Sequence, residues 1–345
     1  MVSIAMATYN GEKYLRKQLD SLINQTYTNL EIIICDDCSS DSTAEILREY
    51  AKKDSRINLF FNEKNLGFKK NFEKAISLCS GEFIALSDQD DIWEAHKIET
   101  ELNAIGNSDF VFHDATLIDG DGNSLNKTAW QLYDFFEMPK NMNEAFKRLI
   151  PPQGNFVQGS TMLAKADFIK SCLPIPEQFK FHDWWFALNS TVHNGFEGLS
   201  ECLIKYRRYA EQVTAKKVQE EEGQKFAFLF KTVSWYAQIY ESMIERLQFF
   251  SILKELQLDR EKIDIVRAAE KYYQHYQRNY VDLYVFIYFV WHYSNFFHEQ
   301  RSFLQKSKDI FRKFCTMIRW FIFRPHLRHL QKEYRENASQ NNMDG

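Results

Sequence analysis

Three acidic residues within four positions, Asp88, Asp90 and Asp91, directly follow the apolar run 83–86 and Ser87. An apolar run bounded by polar residues predicts a buried strand, and open α/β sheets bind ligands at the carboxyl ends of their strands. Carboxylates crowded at such an edge repel one another unless they share a cation, and their oxygens suit Mg²⁺ or Mn²⁺ beside a substrate diphosphate. An Asp-rich turn is the simpler alternative, because Asp is a common turn residue.

The sequence before this cluster alternates short apolar runs with amphipathic stretches. Strands are predicted at 2–7, 30–35, 58–61 and 83–86, and helices at 12–24, from 42 onward and at 70–78. The second strand also ends in paired acids, Asp36 and Asp37, and the spacing of Ser42 and Glu45 predicts a capping box at the next helix. Strands that alternate with helices predict a mostly parallel sheet. We therefore expect both acidic strand ends to lie at one edge.

Three ordered segments carry a resemblance to a known family. They read MATYNGEKYLRKQLDSLINQTYTNLEIIICDDCSSDST, NLGFKKNFEKAI and GEFIALSDQDDIW. They resemble the nucleotide-sugar domain of family 2 glycosyltransferases, and the DQDDIW spelling is similar to that of the bacterial rhamnosyltransferase-like branch. The resemblance covers about the first 215 residues and implies the GT-A fold, an α/β Rossmann-like domain with a mostly parallel central sheet.

Length and composition predict a large domain with an appendage. The chain has 345 residues, 45% hydrophobic and 26% charged, which is a foldable globular composition. We predict a GT-A catalytic domain at 1–218, an α-helical region at 219–334 and a disordered tail at 335–345. The net charge of −4 gives no general attraction to nucleic acid. The DGDGN turn at 119–123 is predicted to be a plain hairpin turn that follows a strand at 110–118.

Cysteine usage and hydropathy point to a cytoplasmic protein. The six cysteines include one CxxC spacing, Cys35 to Cys38, without a second pair, so we predict free thiols and no zinc site. No signal peptide is predicted, because Met1 leads straight into a strand without a basic region. The most apolar stretch, 284–291, is far shorter than the ~20 residues of a membrane span.

The resemblance implies the residues of the donor site. Its nucleobase-contacting segments match Thr8, Tyr9 and Asn10 after the first strand and Asp37 after the second. Tyr9 would offer an aromatic surface, and Asp37 would accept a hydrogen bond from a pyrimidine N3–H. A packed edge residue is the alternative for Tyr9.

The diphosphate and the cation are assigned to the acidic cluster and nearby cations. Asp90 is the expected ligand of Mg²⁺ or Mn²⁺, Asp88 is expected to contact the nucleotide, and Asp91 to support the loop beside the sugar. Lys70, near a predicted helix N-terminus, and Arg207 are the candidates for the phosphates. A solvated basic face is the alternative for Lys70.

The segment FHDWW resembles the part of this branch that supplies the general base. Asp183 is the predicted base, which takes the proton of the acceptor hydroxyl, and neighbouring aromatic rings would raise its pKa by desolvation. His182, Trp184, Trp185 and Gly159 are expected to line the site for the donor and acceptor sugars. The alternative is an exposed acidic helix start whose tryptophans belong to the core.

One position departs from the family pattern. Tyr209 stands where the resemblance implies a histidine that helps to bind the metal, and Gln212 replaces an asparagine. Neutral tyrosine is a poor Mg²⁺ ligand, so either cation binding is weaker here or this loop acts only as a lid.

The segment 301–328 carries eight Lys or Arg against one acid, with apolar residues at helical spacing. This pattern fits a peripheral helix on the inner face of the cell membrane. It fits equally a helix packed on the catalytic domain or on a second subunit of a homo-oligomer.

These observations predict an inverting, metal-dependent glycosyltransferase in bacterial surface polysaccharide synthesis. The donor is expected to be a dTDP- or UDP-sugar, with dTDP-rhamnose as one candidate, and the acceptor a saccharide that is often lipid-linked. The alternatives are a UDP-hexose enzyme of the same fold and a catalytically silent sugar-binding homologue.

Overall fold

The computed structural model describes residues 1–133, 135, 137–150, 155–177, 179, 181–209, 249–250, 252–253 and 256–277. The chain divides into two compact units, one of Met1–Lys225 with Leu256–Lys262 and the other of Phe226–Glu255 with Ile263–Gly345. Most described residues belong to the first unit. The predicted boundary at 218, the basic segment 301–328 and the tail 335–345 lie outside the described residues and stay predictions.

Strands and helices alternate along the first half of the chain. The strands are β1 (Val2–Thr8), β2 (Leu30–Asp36), β3 (Ile57–Phe61), β4 (Phe83–Ser87), β5 (Ile92–Trp93), β6 (Phe110–Ile118), β7 (Ser124–Thr128), β8 (Met162–Lys165) and β9 (Phe196–Arg207). The helices are α1 (Leu15–Ile23), α2 (Thr43–Lys53), α3 (Phe68–Leu78), α4 (Lys97–Ala104), α5 (Ala129–Leu132), α6 (Met142–Leu149), α7 (Ala166–Ser171), α8 (His182–Ser190) and α9 (Arg260–Gln277). None of these described helices is long and apolar enough to cross a membrane.

The strands form one mixed sheet in the order β3-β2-β1-β4-β8-β6-β9-β5, with β7 paired to β6. The first four strands are parallel, and β6 also runs parallel to β9. The predicted α/β fold is therefore confirmed. Antiparallel pairs join β8 to β4 and to β6, and β5 to β9.

The parallel half of the sheet is buried on both faces. Apolar side chains of β1, β2 and β4 are almost fully inaccessible, as are the inward residues of α1 and α3 (Ile4, Met6, Ile32, Ile34, Ala85, Leu15, Leu19, Phe72, Ile76). Such two-sided burial is the reason why these strands read as continuous apolar runs. The register sets Thr8 opposite Asp36 and Met6 opposite Ser87. The carboxyl ends of β1, β2 and β4 thus meet at one edge, as the sequence predicted.

Two local predictions have different outcomes. The prediction of a capping box at α2 is wrong. The Ser42 side chain accepts no capping hydrogen bond, and the Ser42 N–H donates to Glu12 instead of Glu45. The plain turn after β6 is confirmed. One Asp119 oxygen accepts the backbone N–H groups of residues 121, 122 and 123, each at 2.9 Å, and β7 pairs back on β6.

Candidate active site

Four carboxylates from two parts of the chain meet beyond the end of β4. Burial and, to a smaller extent, the charges of Asp90 and Asp183 together raise the pKa of Asp88 to about 7, so Asp183 lies close to the acidic loop. Burial and the charges of Asp90 and Asp88 likewise raise the pKa of Asp91. The structure therefore brings the predicted metal ligand and the predicted base into one cluster. Their mutual repulsion is the electrostatic problem that a bound cation would relieve.

Asp183 lies in the first turn of α8, where a carboxylate is favoured by the helix dipole. One carboxylate oxygen accepts the Asn155 side-chain N–H at 2.8 Å, and the other accepts the Gly159 backbone N–H at 3.0 Å. These bonds favour the charged form, but burial dominates and raises the pKa of Asp183 to about 7. A carboxylate with a pKa near neutrality is suited to take up a proton. Asn155 was not singled out from the sequence.

The other residues of the FHDWW segment point in different directions from α8. The Trp185 ring is buried and its indole N–H donates to the Cys172 carbonyl, which favours the alternative that Trp185 belongs to the core. Trp184 is partly buried and donates to the Leu149 carbonyl at 2.7 Å. Successive helical residues are turned by about 100°, which is why neighbours of Asp183 cannot all share its surroundings.

His182 and Gly159 form a tight contact beneath the base. A Cβ on Gly159 would lie only 2.6 Å from His182 Nε2, so only glycine fits against this ring. His182 is buried, and its ring packs 4.4 Å from that of Phe72. Burial lowers the pKa of His182 to about 3, which keeps the ring neutral. Both residues therefore set the position of the Gly159 N–H that holds Asp183.

Gln89 fixes the acidic loop to the end of β1. Its side-chain oxygen accepts the Tyr9 N–H at 2.8 Å, and its amide donates to the Tyr9 carbonyl at 3.0 Å. A Cβ on Gly11 would lie 2.3 Å from the Gln89 oxygen, so a side chain here would displace Gln89 from this position. Gln89 was missed from the sequence although it stands inside the DQDD motif. It has no charge to draw attention, and its role depends on a partner 80 residues away.

Tyr9 is 49% exposed at this edge and is available to a ligand. Thr8 and Asn10 instead make structural contacts. The Thr8 hydroxyl donates to Asp36 at 2.8 Å, and the Asn10 side-chain oxygen accepts the Ser40 N–H at 2.8 Å. Asn10 has φ = 48°, a left-handed conformation that asparagine tolerates.

Asp37 is buried and holds the loop before α3. Its carboxylate accepts the backbone N–H groups of Leu66 and Gly67, both at 2.8 Å, and the Asn62 side-chain amide at 2.8 Å. An ionised carboxylate has about four acceptor positions. Three are thus taken by the protein, which leaves one for a ligand donor such as the predicted pyrimidine N3–H.

The two lysines at the start of α3 are engaged with the segment that leads to α8. Lys69 donates to the carbonyls of Pro176, Glu177 and Phe179 at 3.2, 3.0 and 2.9 Å. Lys70 pairs with Glu73 at 2.8 Å, and Glu73 also accepts the Ile175 N–H. The Lys70 side chain remains 41% exposed, so its predicted contact with phosphate would compete with this ion pair.

Arg207 and Asp91 lie under the acidic loop, not in an open site. Arg207 is fully buried, and its guanidinium donates to the carbonyls of Asp90 at 2.8 Å, Asp119 at 3.0 Å and Gly120 at 3.1 Å. Asp91 is also fully buried and accepts the Arg207 backbone N–H at 3.1 Å. Asp91 therefore supports the loop, and the predicted contacts of Arg207 with diphosphate and of Asp91 with sugar stay predictions that this burial does not favour. These hydrogen bonds join the acidic loop to β9 and to the β6–β7 turn.

The described residues hold no cluster of three or more His, Cys, Asp or Glu arranged as a complete metal site. Mg²⁺ in nucleotide-dependent enzymes usually binds through one or two carboxylates and completes its shell with phosphates and water. Burial is the main cause of the raised pKa of Asp88, and the negative charges of Asp90 and Asp183 add to it. The donor set therefore fits a cation that arrives with a diphosphate.

Comparison with known proteins identifies the family of this chain. The family model for glycosyl transferase family 2 matches residues 3–172. An uncharacterised glycosyltransferase of Methanocaldococcus jannaschii is 31% identical over 212 residues, which cover 60% of this chain and 70% of that protein. This chain belongs to glycosyl transferase family 2 and is a glycosyltransferase.

Two further relatives have more specific names. TuaG of Bacillus subtilis, whose name assigns it to teichuronic acid biosynthesis, is 28% identical over 63% of this chain and 82% of its own length. WfgD of Escherichia coli is 39% identical over 32% of this chain and 44% of its own length, and is named as a UDP-Glc:α-D-GlcNAc-diphosphoundecaprenol β-1,3-glucosyltransferase.

Solved structures support the GT-A fold. Residues 1–349 of Staphylococcus aureus TarS, in complex with UDP-GlcNAc, align with a TM-score of 0.51 at 19% identity, over 79% of this chain and 72% of that one. The mannosyltransferase PcManGT of Pyrobaculum calidifontis, in complex with GDP-Man and Mn²⁺, aligns with a TM-score of 0.50 at 15% identity, over 78% and 68% of the two chains. At these identities the likeness concerns the fold alone.

Proposed function

We propose that this enzyme transfers a sugar from a nucleoside diphosphate donor to a saccharide hydroxyl with inversion, and that the reaction needs a divalent cation. The observation that carries the proposal is the meeting of Asp88 and Asp90, at the end of β4, with Asp183, from α8. A single displacement requires the leaving diphosphate and the base to flank one sugar. The acidic loop after β4 and the start of α8 supply these two kinds of carboxylate, and their charges act on one another.

Asp183 is the group that would take the acceptor proton. Its pKa of about 7 leaves a large ionised fraction at neutral pH, together with enough basicity to hold a proton. Asn155 and Gly159 fix its two oxygens, so the base is oriented before the acceptor arrives. Asp90 would hold the cation, and Asp88 would approach the nucleotide. The chemistry that Mg²⁺ or Mn²⁺ supplies at such a site is neutralisation of the charge that builds on the leaving diphosphate.

A pyrimidine nucleotide is the proposed donor. Tyr9 exposes its ring at the edge where the strands end, and Asp37 keeps one acceptor position for an imide N–H. WfgD uses a UDP-sugar by name and TarS was solved with one, which supports UDP over the dTDP-rhamnose candidate. The names of TuaG and WfgD further support a polysaccharide precursor as acceptor, lipid-linked in the WfgD reaction. Peripheral membrane attachment through 301–328 remains a proposal about residues outside the described part.

A donor panel tests the function directly. The purified enzyme is incubated with Mn²⁺ and UDP-Glc, UDP-GlcNAc, dTDP-rhamnose or GDP-Man, and the release of nucleoside diphosphate is measured with and without saccharide acceptors. One donor should be consumed, and NMR of the product should show the inverted anomeric configuration. Asp90→Asn should nearly abolish release while leaving the circular dichroism and the unfolding midpoint close to those of the wild type. Retention of configuration, or full activity of Asp90→Asn at limiting Mn²⁺, would refute the proposed mechanism.

A further inference from the structure

Gln89 stands between Asp88 and Asp90 in the acidic loop, yet its side chain bonds to the loop that follows β1. Its oxygen accepts the Tyr9 N–H at 2.8 Å, and its amide donates to the Tyr9 carbonyl at 3.0 Å. We propose that Gln89, packed against Gly11, is a positioning residue that fixes the spacing between the two halves of the donor site, one assigned to the nucleobase and the other to the diphosphate. The inference rests on the proposed function and deepens it.

The two halves are defined by the residues assigned to them. Tyr9 and Asp37 form the nucleobase half-site, and Asp88 and Asp90 form the diphosphate half-site. Each half-site follows the end of a strand, and a nucleoside diphosphate that uses both must reach from one to the other. The affinity for such a ligand therefore depends on how the two half-sites are held relative to each other.

The hydrogen bonds of Gln89 continue the pairing of β1 with β4 beyond the strands. The backbone pairing ends at Met6 and Ser87. A side-chain amide carries both a donor and an acceptor, as a peptide group does. Gln89, two residues after Ser87, thus adds two hydrogen bonds to Tyr9, three residues after Met6. The two loops are joined at the point where they carry the half-sites.

The nucleobase half-site is itself held together by hydrogen bonds. The Asp37 N–H donates to the Thr8 carbonyl at 2.8 Å, and the Asn10 N–H donates to the Ser39 hydroxyl at 2.9 Å. The residues on both sides of Tyr9 are therefore bonded to the segment that carries Asp37. A restraint that acts on Tyr9 also acts on Asp37.

Gly11 leaves the space that the Gln89 side chain occupies. A Cβ on Gly11 would lie 2.3 Å from the Gln89 oxygen, 2.6 Å from its Cδ and 3.2 Å from its amide nitrogen, and these are the three nearest atoms. They belong to the far end of a flexible side chain. Gly11→Ala would therefore displace the Gln89 amide from Tyr9 while the chemistry of Gln89 stays unchanged.

Fixed spacing has a consequence that separates whole ligands from fragments. A ligand that binds at two places gains affinity when their spacing matches it, and a site that is already ordered lowers the cost of binding. A fragment that uses one half-site gains nothing from the spacing. Loss of the Gln89 hydrogen bonds should weaken the binding of UDP, whereas uridine alone and pyrophosphate alone should bind as before.

The test compares these three probes on wild type, Gln89→Ala, Gly11→Ala and the double variant. UDP with Mg²⁺ is titrated by calorimetry, and uridine and pyrophosphate with Mg²⁺ are titrated by ligand-observed NMR. We expect each single variant to weaken UDP binding by about fivefold, the net contribution of one neutral hydrogen bond, with fragment affinities unchanged. The double variant should be no weaker than Gln89→Ala, because the methyl group then has no amide to displace.

Gln131 offers a matched control in another part of the chain. Its side-chain oxygen also accepts a backbone N–H, that of Thr128 at 3.0 Å, at the start of α5. Gln131→Ala removes a glutamine with a backbone partner but leaves both half-sites intact. It should bind all three probes as the wild type does, and every variant should keep an unfolding midpoint close to that of the wild type.

The outcomes separate this inference from the proposed function. If wild type binds UDP and Gln89→Ala binds it equally well, the role of Gln89 is refuted and the proposed donor stands. Weakening of uridine alone to the same extent would also refute it, because Gln89 would then only orient Tyr9. Additive losses in the double variant would overturn the role given to the Gly11 contact. A wild-type enzyme that does not bind UDP would contradict the proposed donor, and this inference with it.

Discussion

The pH dependence of the reaction should report the ionisation of Asp183. Burial raises its pKa to about 7, so the base is half protonated near neutrality and mostly protonated at pH 6. Only the ionised form can accept the acceptor proton. The rate of transfer at low substrate should therefore fall by about tenfold per pH unit below about pH 7. Asp183→Asn should lose 10²–10⁴ in rate, the usual contribution of a general base, and should keep its affinity for nucleotide.

Asn155 allows the assignment to be checked without removing the base. Its side-chain N–H donates to Asp183 at 2.8 Å and stabilises the charged form. A hydrogen bond to a charged group contributes about 1.5–3 kcal/mol, and one pKa unit corresponds to about 1.4 kcal/mol. Since Asp183 is only partly buried, we take the lower end and expect Asn155→Ala to raise its pKa by about one unit.

The assay is a pH profile of transfer measured for wild type and Asn155→Ala from pH 5.5 to 9. The acid limb should move to higher pH in the variant, with rates that converge towards the alkaline end. A variant that stays active with an unmoved acid limb would refute the reasoning, because the limb would then belong to another group. Loss of nucleotide affinity in Asp183→Asn would move that residue from the chemistry to donor binding.

Two further predictions concern the interior. Glu101→Gln should lower the free energy of unfolding by about 3–5 kcal/mol in urea denaturation, because it leaves the fully buried Lys97 without its ion-pair partner at 2.8 Å. Glu49→Gln removes the partner of an exposed pair and is the control, which should change the free energy of unfolding little. Gly159→Ala should impair activity, since the new methyl group would meet His182, and His182→Ala in the same chain should restore part of it; no recovery would show that the contact does not explain the loss.

Much of the parallel half of the sheet could be predicted from the sequence. Continuous apolar runs identified β1, β2 and β4 because these strands are buried on both faces. The acidic residues at the ends of β2 and β4 lie at one edge because the carboxyl ends of parallel strands meet there. Local periodicity carried this information, and the bounds of the strands differ from those predicted by only one residue.

The roles within the site could not be predicted in the same way. Arg207 and Asp91 are polar residues beside a motif, which suggests ligand contact, yet both are fully buried and hold the loop from below. Whether a charge faces a ligand or a carbonyl depends on the path of β9, a strand more than 100 residues distant in sequence. Gln89 and Asn155 show the converse, since uncharged amides gain importance only through partners that the fold supplies.

The hydrogen bonds of Lys69 have a consequence for the order in which the substrates bind. One ammonium joins three carbonyls of the segment that leads to Asp183, and two residues earlier the Gly67 N–H is bonded to Asp37. The start of α3 thus links Asp37, which is assigned to the nucleobase, to the segment that leads to Asp183, the proposed general base. A donor that binds against Asp37 would therefore stabilise the segment that leads to Asp183 before the acceptor binds. Compulsory-order binding, with the donor first and the nucleoside diphosphate last to leave, is the kinetic scheme that this linkage favours.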